Sequence, residues 1–265
     1  MSPQPAALPA AFVTDPGPLP AFMDDDYAFA LAELGKILPR PKAVVVMSGH
    51  WLSRETLGVS ASAAPGIVHD YSGFPREFYD FDYPCPGSPE LAADVARRLS
   101  QAGVAAREDA KRPLDHGAWA PLSRVYPKAD VPVVQLSVPA GEDPRKIMGV
   151  GLALAPLRQE GVLLLASGAL VHNLRLLRLG DDAAPEDAWA KAFDAWVLER
   201  LDAGKIGELC DYRRLAPEAA KAAPTPEHFD PLFFALGAAE GARPRHLHRS
   251  VRYGSGLRRI FAFGA

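Results

Sequence analysis

The sequence predicts a single α/β domain over residues 1–265, with a central, largely parallel or mixed sheet and helices on both faces. Three observations predict it. Short, mainly apolar runs recur, as in strands buried on both faces. Between them lie stretches with apolar residues three and four apart, the helical period. No Pro/Gly/Ser-rich linker or internal repeat divides the chain.

The elements follow in order. Residues 1–10, with prolines at 3, 5 and 9, read as a flexible start. Asp24-Asp25-Asp26 opens a helix with Tyr27, Leu31, Leu34 and Leu38 on one face; its acids lie at the positive end of the helix dipole, and Pro39 ends it. Residues 43–47, AVVVM, form a buried strand, and Ser48-Gly49 then leads to His50. The stretch 69–89 is rich in aromatics, Pro and Gly and is longer than an ordinary connection, so it reads as a functional loop. Ser88-Pro89 starts a helix as N-cap and first residue, with Leu91, Val95 and Leu99 as its stripe and Gly103 past its end. Strands are expected at 132–138 and 161–167, with a helix between them from Asp143-Pro144. A further helix spans 186–201, another begins at Pro226, and strands close the chain near 247–253 and 258–263.

Composition narrows the function. Lys and Arg number 29 against 32 Asp and Glu, with no basic block, which argues against a nucleic-acid partner. No apolar run reaches the length of a membrane span, and the N-terminus lacks a secretory pattern. Two cysteines make no disulfide framework. A cytoplasmic protein is expected; its oligomeric state is open.

The chemistry rests on a few histidines. His50 and His172 each follow a buried strand, and His116 sits in LDHGAW at the entry to a short helix. His228 sits in PEHFDPL, read as a first helical turn. In α/β sheets, sites form beyond the carboxyl ends of strands, so such residues converge although distant in sequence. Gly49, Gly117 and Gly168 leave room for close approach. No H-E-x-x-H, Cys pair or H-x-H fixes a metal site locally. From the residues alone a histidine metal site, a neutral polar pocket and scattered structural histidines all remain open.

The segments SGHW, GFPREFYDFDYPCPG, LDHGAW, SGALVHNL, PEHFDPLFFALGAA and HRSVRYGS, in this order, resemble the class III extradiol ring-opening dioxygenases, in particular their 4,5-DOPA dioxygenase-like branch. The resemblance covers nearly the whole chain. It implies a metal-dependent ring-cleaving dioxygenase acting on a catechol-type aromatic with O2, holding one divalent metal, Fe(II) or Zn(II). By the same resemblance His50 and His228 are metal ligands, and His172 is the acid/base histidine and a possible further ligand. His116 is a catalytic and substrate-contacting residue. Tyr253, His69 and Tyr71 are candidate substrate contacts, and Arg175 a candidate partner for a substrate carboxylate.

One position departs from the family pattern. Where a histidine is expected near the N-terminus, Thr14-Asp15-Pro16-Gly17-Pro18 puts an aspartate. Asp15 as a ligand would complete a two-histidine, one-carboxylate set suited to non-haem iron(II). Its short reach and the extended backbone imposed by Pro16 stand against this. Alternatively the ligand is lost, leaving a metal-depleted or zinc-bound relative that serves as a small-molecule binder, partner subunit or hydrolase. In a third reading Asp15 only caps a turn.

Overall fold

A computed structural model describes residues 7–264. Eight strands form one mixed sheet: β1 (Ala10–Thr14), β2 (Ala43–Ser53), β3 (Leu57–Ser60), β4 (Ala106–Asp109), β5 (Val133–Pro139), β6 (Val162–Gly168), β7 (Pro244–Arg252) and β8 (Gly256–Phe263). Their spatial order is β4-β3-β5-β2-β6-β1-β8-β7. The middle four, β5, β2, β6 and β1, are mutually parallel, while β8 runs antiparallel to β1 and β7 antiparallel to β8. The parallel strands are the apolar runs of the sequence because helices cover them on both sides.

Alternation along β2 shows the two faces. Val44 and Val46 pack with Tyr27, Leu31 and Trp119, beneath α1 (Asp26–Ile37) and α3 (His116–Val125). Val45 and Met47 belong to the opposite core. That core is built on α2 (Pro89–Gln101), α4 (Pro144–Leu154), α5 (Ala188–Ala203) and α9 (Pro231–Ala238). Short helices α6 (Ile206–Cys210), α7 (Tyr212–Leu215) and α8 (Ala219–Ala222) connect α5 to α9. Side-chain caps form as the sequence indicates: Asp25 accepts from the Ala28 amide, Ser88 from Leu91 and Asp143 from Arg145. No helix among the described residues is long and apolar enough to cross a membrane.

Several boundaries differ from expectation. Strand β2 does not stop at residue 47 but continues to Ser53 through a register shift between Met47 and Leu52. His50 therefore sits in a distorted strand end rather than beyond one. Helix α9 begins at Pro231, not Pro226; both prolines suit a first helical position, and the earlier one opens only a turn, in which the Phe229 and Asp230 amides bond the Pro226 carbonyl. Strands β1, β3 and β4 were not expected. Of the expected flexible start, residues 1–6 lie outside the described residues. Leu8 is buried, its amide bonds the Arg158 carbonyl, and Ala10 opens β1, because the buried Arg158 guanidinium donates back to Leu8 O (2.5 Å) and to Ala238 O (2.9 Å).

Helices α4 and α9 cross in backbone contact. A β-carbon on Gly237 would stand 1.9 Å from Met148 O, and one on Gly151 would stand 2.1 Å from Phe234 O. Gly149, on the exposed side of α4, has no atom within 4 Å of that position. Gly237→Ala is therefore expected to destabilise the fold by about 1–3 kcal/mol through overpacking. Gly149→Ala is expected to stabilise it by about 0.5–1 kcal/mol through helix propensity. Urea unfolding of the two variants beside wild type checks the opposite signs.

Candidate active site and metal centre

The adjacent strands β2, β6 and β1 run toward one edge of the sheet, and each leads into a side chain of the site. Asp15 follows β1 directly, His50 lies in the far part of β2, and His172 comes four residues after the end of β6. His116 is the first residue of α3, and His228 lies in the turn before α9. All five line one cavity of about 520 Å³. Backbone bonds fasten the parts together: the Asp15 amide donates to Gly168 O (2.6 Å), Ala169 to His228 O (2.7 Å) and His172 to Ala222 O (2.8 Å). Gly117 keeps α3 close, since a β-carbon there would meet Ser48 Oγ at 2.3 Å and Asp15 Oδ2 at 2.9 Å.

Asp15 is 5% exposed and uses its two oxygens differently. Oδ1 accepts from the Gly17 amide (2.9 Å), a turn cap, while Oδ2 lies 2.7 Å from His50 Nε2 and 3.8 Å from His116 Nε2. Turn capping and a place in the site are thus compatible, and Pro16 does not turn the carboxylate away. His228 Nε2 lies 3.2 Å from His50 Nε2. Asp15, His50 and His228 present donor atoms all within 4.8 Å of one another. Bonds of about 2.1 Å to one ion set neighbouring donors roughly 3.0–3.4 Å apart; the two imidazole nitrogens meet this, whereas His50 Nε2 and Asp15 Oδ2 stand at hydrogen-bond distance and would part slightly to share an ion. His228 Nδ1 is buried without a well-formed hydrogen bond, with Glu227 Oε1 3.4 Å away.

His172 stacks on His228, with ring centroids 3.5 Å apart and planes at 17°. As a possible donor it groups with Glu227 and His228. His116 Nδ1 lies 2.8 Å from Asp70 Oδ1, which also accepts from the His116 amide (3.0 Å). Asp70 Oδ2 lies 3.8 Å from His50 Nδ1, so one carboxylate serves two histidines. Behind them, buried Asp115 caps α3 and accepts from Ser48 Oγ (2.7 Å) and Arg112 (2.9 Å).

Burial alone would raise the Asp15 pKa, but His116, His50 and His228 outweigh it and hold the carboxyl well below its ordinary range. Burial likewise opposes charge on His50, yet Asp15 overcomes it and pushes the pKa up to about 9. His172 has no carboxylate that close. Burial first, then its stacked neighbour His228, bring it down to about 4, so its imidazole is neutral near pH 7.

The family model described as the catalytic LigB subunit of aromatic ring-opening dioxygenase matches residues 30–263. The chain belongs to this family. It is similar to the 4,5-DOPA dioxygenase extradiol of Escherichia coli K12, 39% identical over 89% of this chain and 87% of that one. A protein of the same description from Beta vulgaris is 41% identical over 82% of each chain. Dioxygenase tasH of Hapsidospora irregularis is 33% identical over 84% of this chain and 75% of that one. The crystal structure of an uncharacterized Escherichia coli K12 protein superposes with a TM-score of 0.81 at 33% identity, covering 97% of this chain and 99% of the other. This family member's ligand-like cluster therefore contains Asp15 at the end of β1.

The remaining candidates divide. Tyr71 and Tyr253 line the cavity; Tyr71 donates its hydroxyl to Phe78 O (2.6 Å), and Tyr253 sits in the β7–β8 turn at φ +56°. His69 does not line it: its Nε2 bonds Phe81 O (3.0 Å) among Tyr71, Tyr79 and Trp119, packing the 69–89 loop. Arg175 is exposed and outside the wall, where Arg252 and Arg258 stand instead. Sequence reasoning also missed Asp70, which lies between the two residues singled out in that loop; its partners are 46 and 20 positions away, and no local pattern marks it. Asp70→Asn removes the charged acceptor behind His116 while keeping its shape. It is expected to lower turnover about 10–100-fold with the far-ultraviolet dichroism unchanged, and imidazole nitrogen NMR should show His116 losing its fixed tautomer.

Proposed function

We propose that the protein is an extradiol dioxygenase that opens a catechol-type ring with O2, using one divalent metal held by Asp15, His50 and His228. The observation that carries this is the convergence of one carboxylate oxygen and two imidazole nitrogens beside His172 and His116. Two imidazoles and a carboxylate that leave coordination positions open are the donor set of non-haem iron(II) oxygenases. Iron would supply Lewis acidity toward the diol oxygens and an electron path to O2.

The chain's own residues do the rest. His172, neutral near pH 7, accepts a proton from a diol hydroxyl and returns one as the ring opens. His116 orients the substrate through Nε2, because Asp70 occupies its Nδ1. Tyr71 and Tyr253 bound the ring's site. The carbon–carbon bond adjoining the diol breaks, and both atoms of O2 end in the product. Partners are thus a small aromatic and O2.

The test is elemental analysis of protein prepared without chelator, for wild type and Asp15→Ala, followed by oxygen uptake with catechol. Near-stoichiometric iron in wild type, at least about tenfold weaker binding in the variant and uptake coupled to a yellow ring-opened product are expected. Zinc in place of iron, which cannot pass electrons to O2, or iron without oxygen uptake, would overturn the reading.

A further inference from the structure

The lining that the catalytic groups leave to other side chains decides what else the substrate carries. Much of that lining is apolar, with Leu19, Phe74, Val171, Leu174, Leu177 and Leu179 among its residues. Leu174 and Leu179, 63% and 74% exposed, leave apolar surface there that a substituent can cover. At about 520 Å³ the space exceeds what a bare catechol fills.

The only cations in this wall among the described residues, apart from the histidines, are Arg252 and Arg258, and both are engaged. Arg258 lies 2.6 Å from Asp25 Oδ2, while Arg252 bonds that same oxygen (3.2 Å) and Asp182 Oδ2 (2.5 Å). Asp25 itself is anchored as the cap of α1. For an ammonium, the wall's carboxylates are Asp15, at the donor cluster, and Asp70, committed to His116. A zwitterionic substituent would compete with Asp25 and Asp182 for these arginines, whereas an alkyl or aryl one meets leucines.

Resting on the ring-opening reading above, we infer that the substrate is a catechol bearing a neutral apolar substituent, not an amino-acid side chain. The segment 174–179 supplies the surface against which that substituent packs.

The experiment titrates the iron-loaded full chain anaerobically with 4-butylcatechol and with L-DOPA by calorimetry, then admits O2 and follows uptake. Butylcatechol is expected to bind at least about tenfold more tightly. Leu179→Ser, a change at an exposed site that leaves folding intact, is expected to shrink that ratio about threefold or more. Equal affinities, tighter L-DOPA binding, no binding of either, or a ratio unmoved by Leu179→Ser would overturn the inference. Tight, selective butylcatechol binding without oxygen uptake would uphold it and sink the ring-opening reading. Uptake with a preference for L-DOPA would do the reverse.

Discussion

A carboxylate buried at the end of a strand organises this molecule's working edge. Asp15 is almost fully removed from water, where an unpaired anion would be very unfavourable. The fold answers with a turn amide on one oxygen and an imidazole on the other. The second bond brings the ends of β1 and β2 within a few ångströms, and His116 at the start of α3 stands 3.8 Å from the same oxygen, so the three elements meet at the cavity. Ser48 and Gly117 are small at the contact because larger side chains would strike the carboxylate or its neighbours.

The sheet order makes this possible. Placing β6 between β2 and β1 brings three strand ends together that are far apart in sequence, and parallel pairing directs all three to the same edge. The turn before α9 is then bound to β6 through the Ala169 amide, which sets His228 against His50. Structure far from the site serves the same end. Arg158 secures the chain ahead of β1 to the end of α9, and buried Asp194 pairs with Arg259 on β8, whose amide bonds Thr14 Oγ1 next to Asp15.

Local signals made the helices and central strands legible. Caps, prolines and apolar periodicity act within a few residues, and α1, α2, α4 and the strands β2, β5 and β6 obeyed them. What escaped depends on distance. Strands β3 and β4 are four residues long and owe their existence to pairing with each other and with β5. Strand β1 is a five-residue run between prolines, recognisable only once β6 and β8 flank it. The histidines of the site were visible because imidazoles are few and follow small residues. Asp70, Asp115, Arg252 and Arg258 were not, since acids and arginines are common and nothing nearby distinguishes a committed one. That His50, His116, His172 and His228 converge followed from their places at strand ends and helix starts, while their separate roles came only from a family resemblance, since spacing left other readings open.

An aspartate at the end of β1 has a physical meaning whatever it binds. Three imidazoles at such distances do not attract one another, so in the absence of an ion a site built from them must be held open by its surroundings. An anion among them changes this: Asp15 draws in His50 directly and lies within reach of His116. The cluster is therefore preassembled by its own electrostatics. The reach of the shorter side chain is recovered by the turn at Pro16-Gly17, which fixes one oxygen so that the other faces His50.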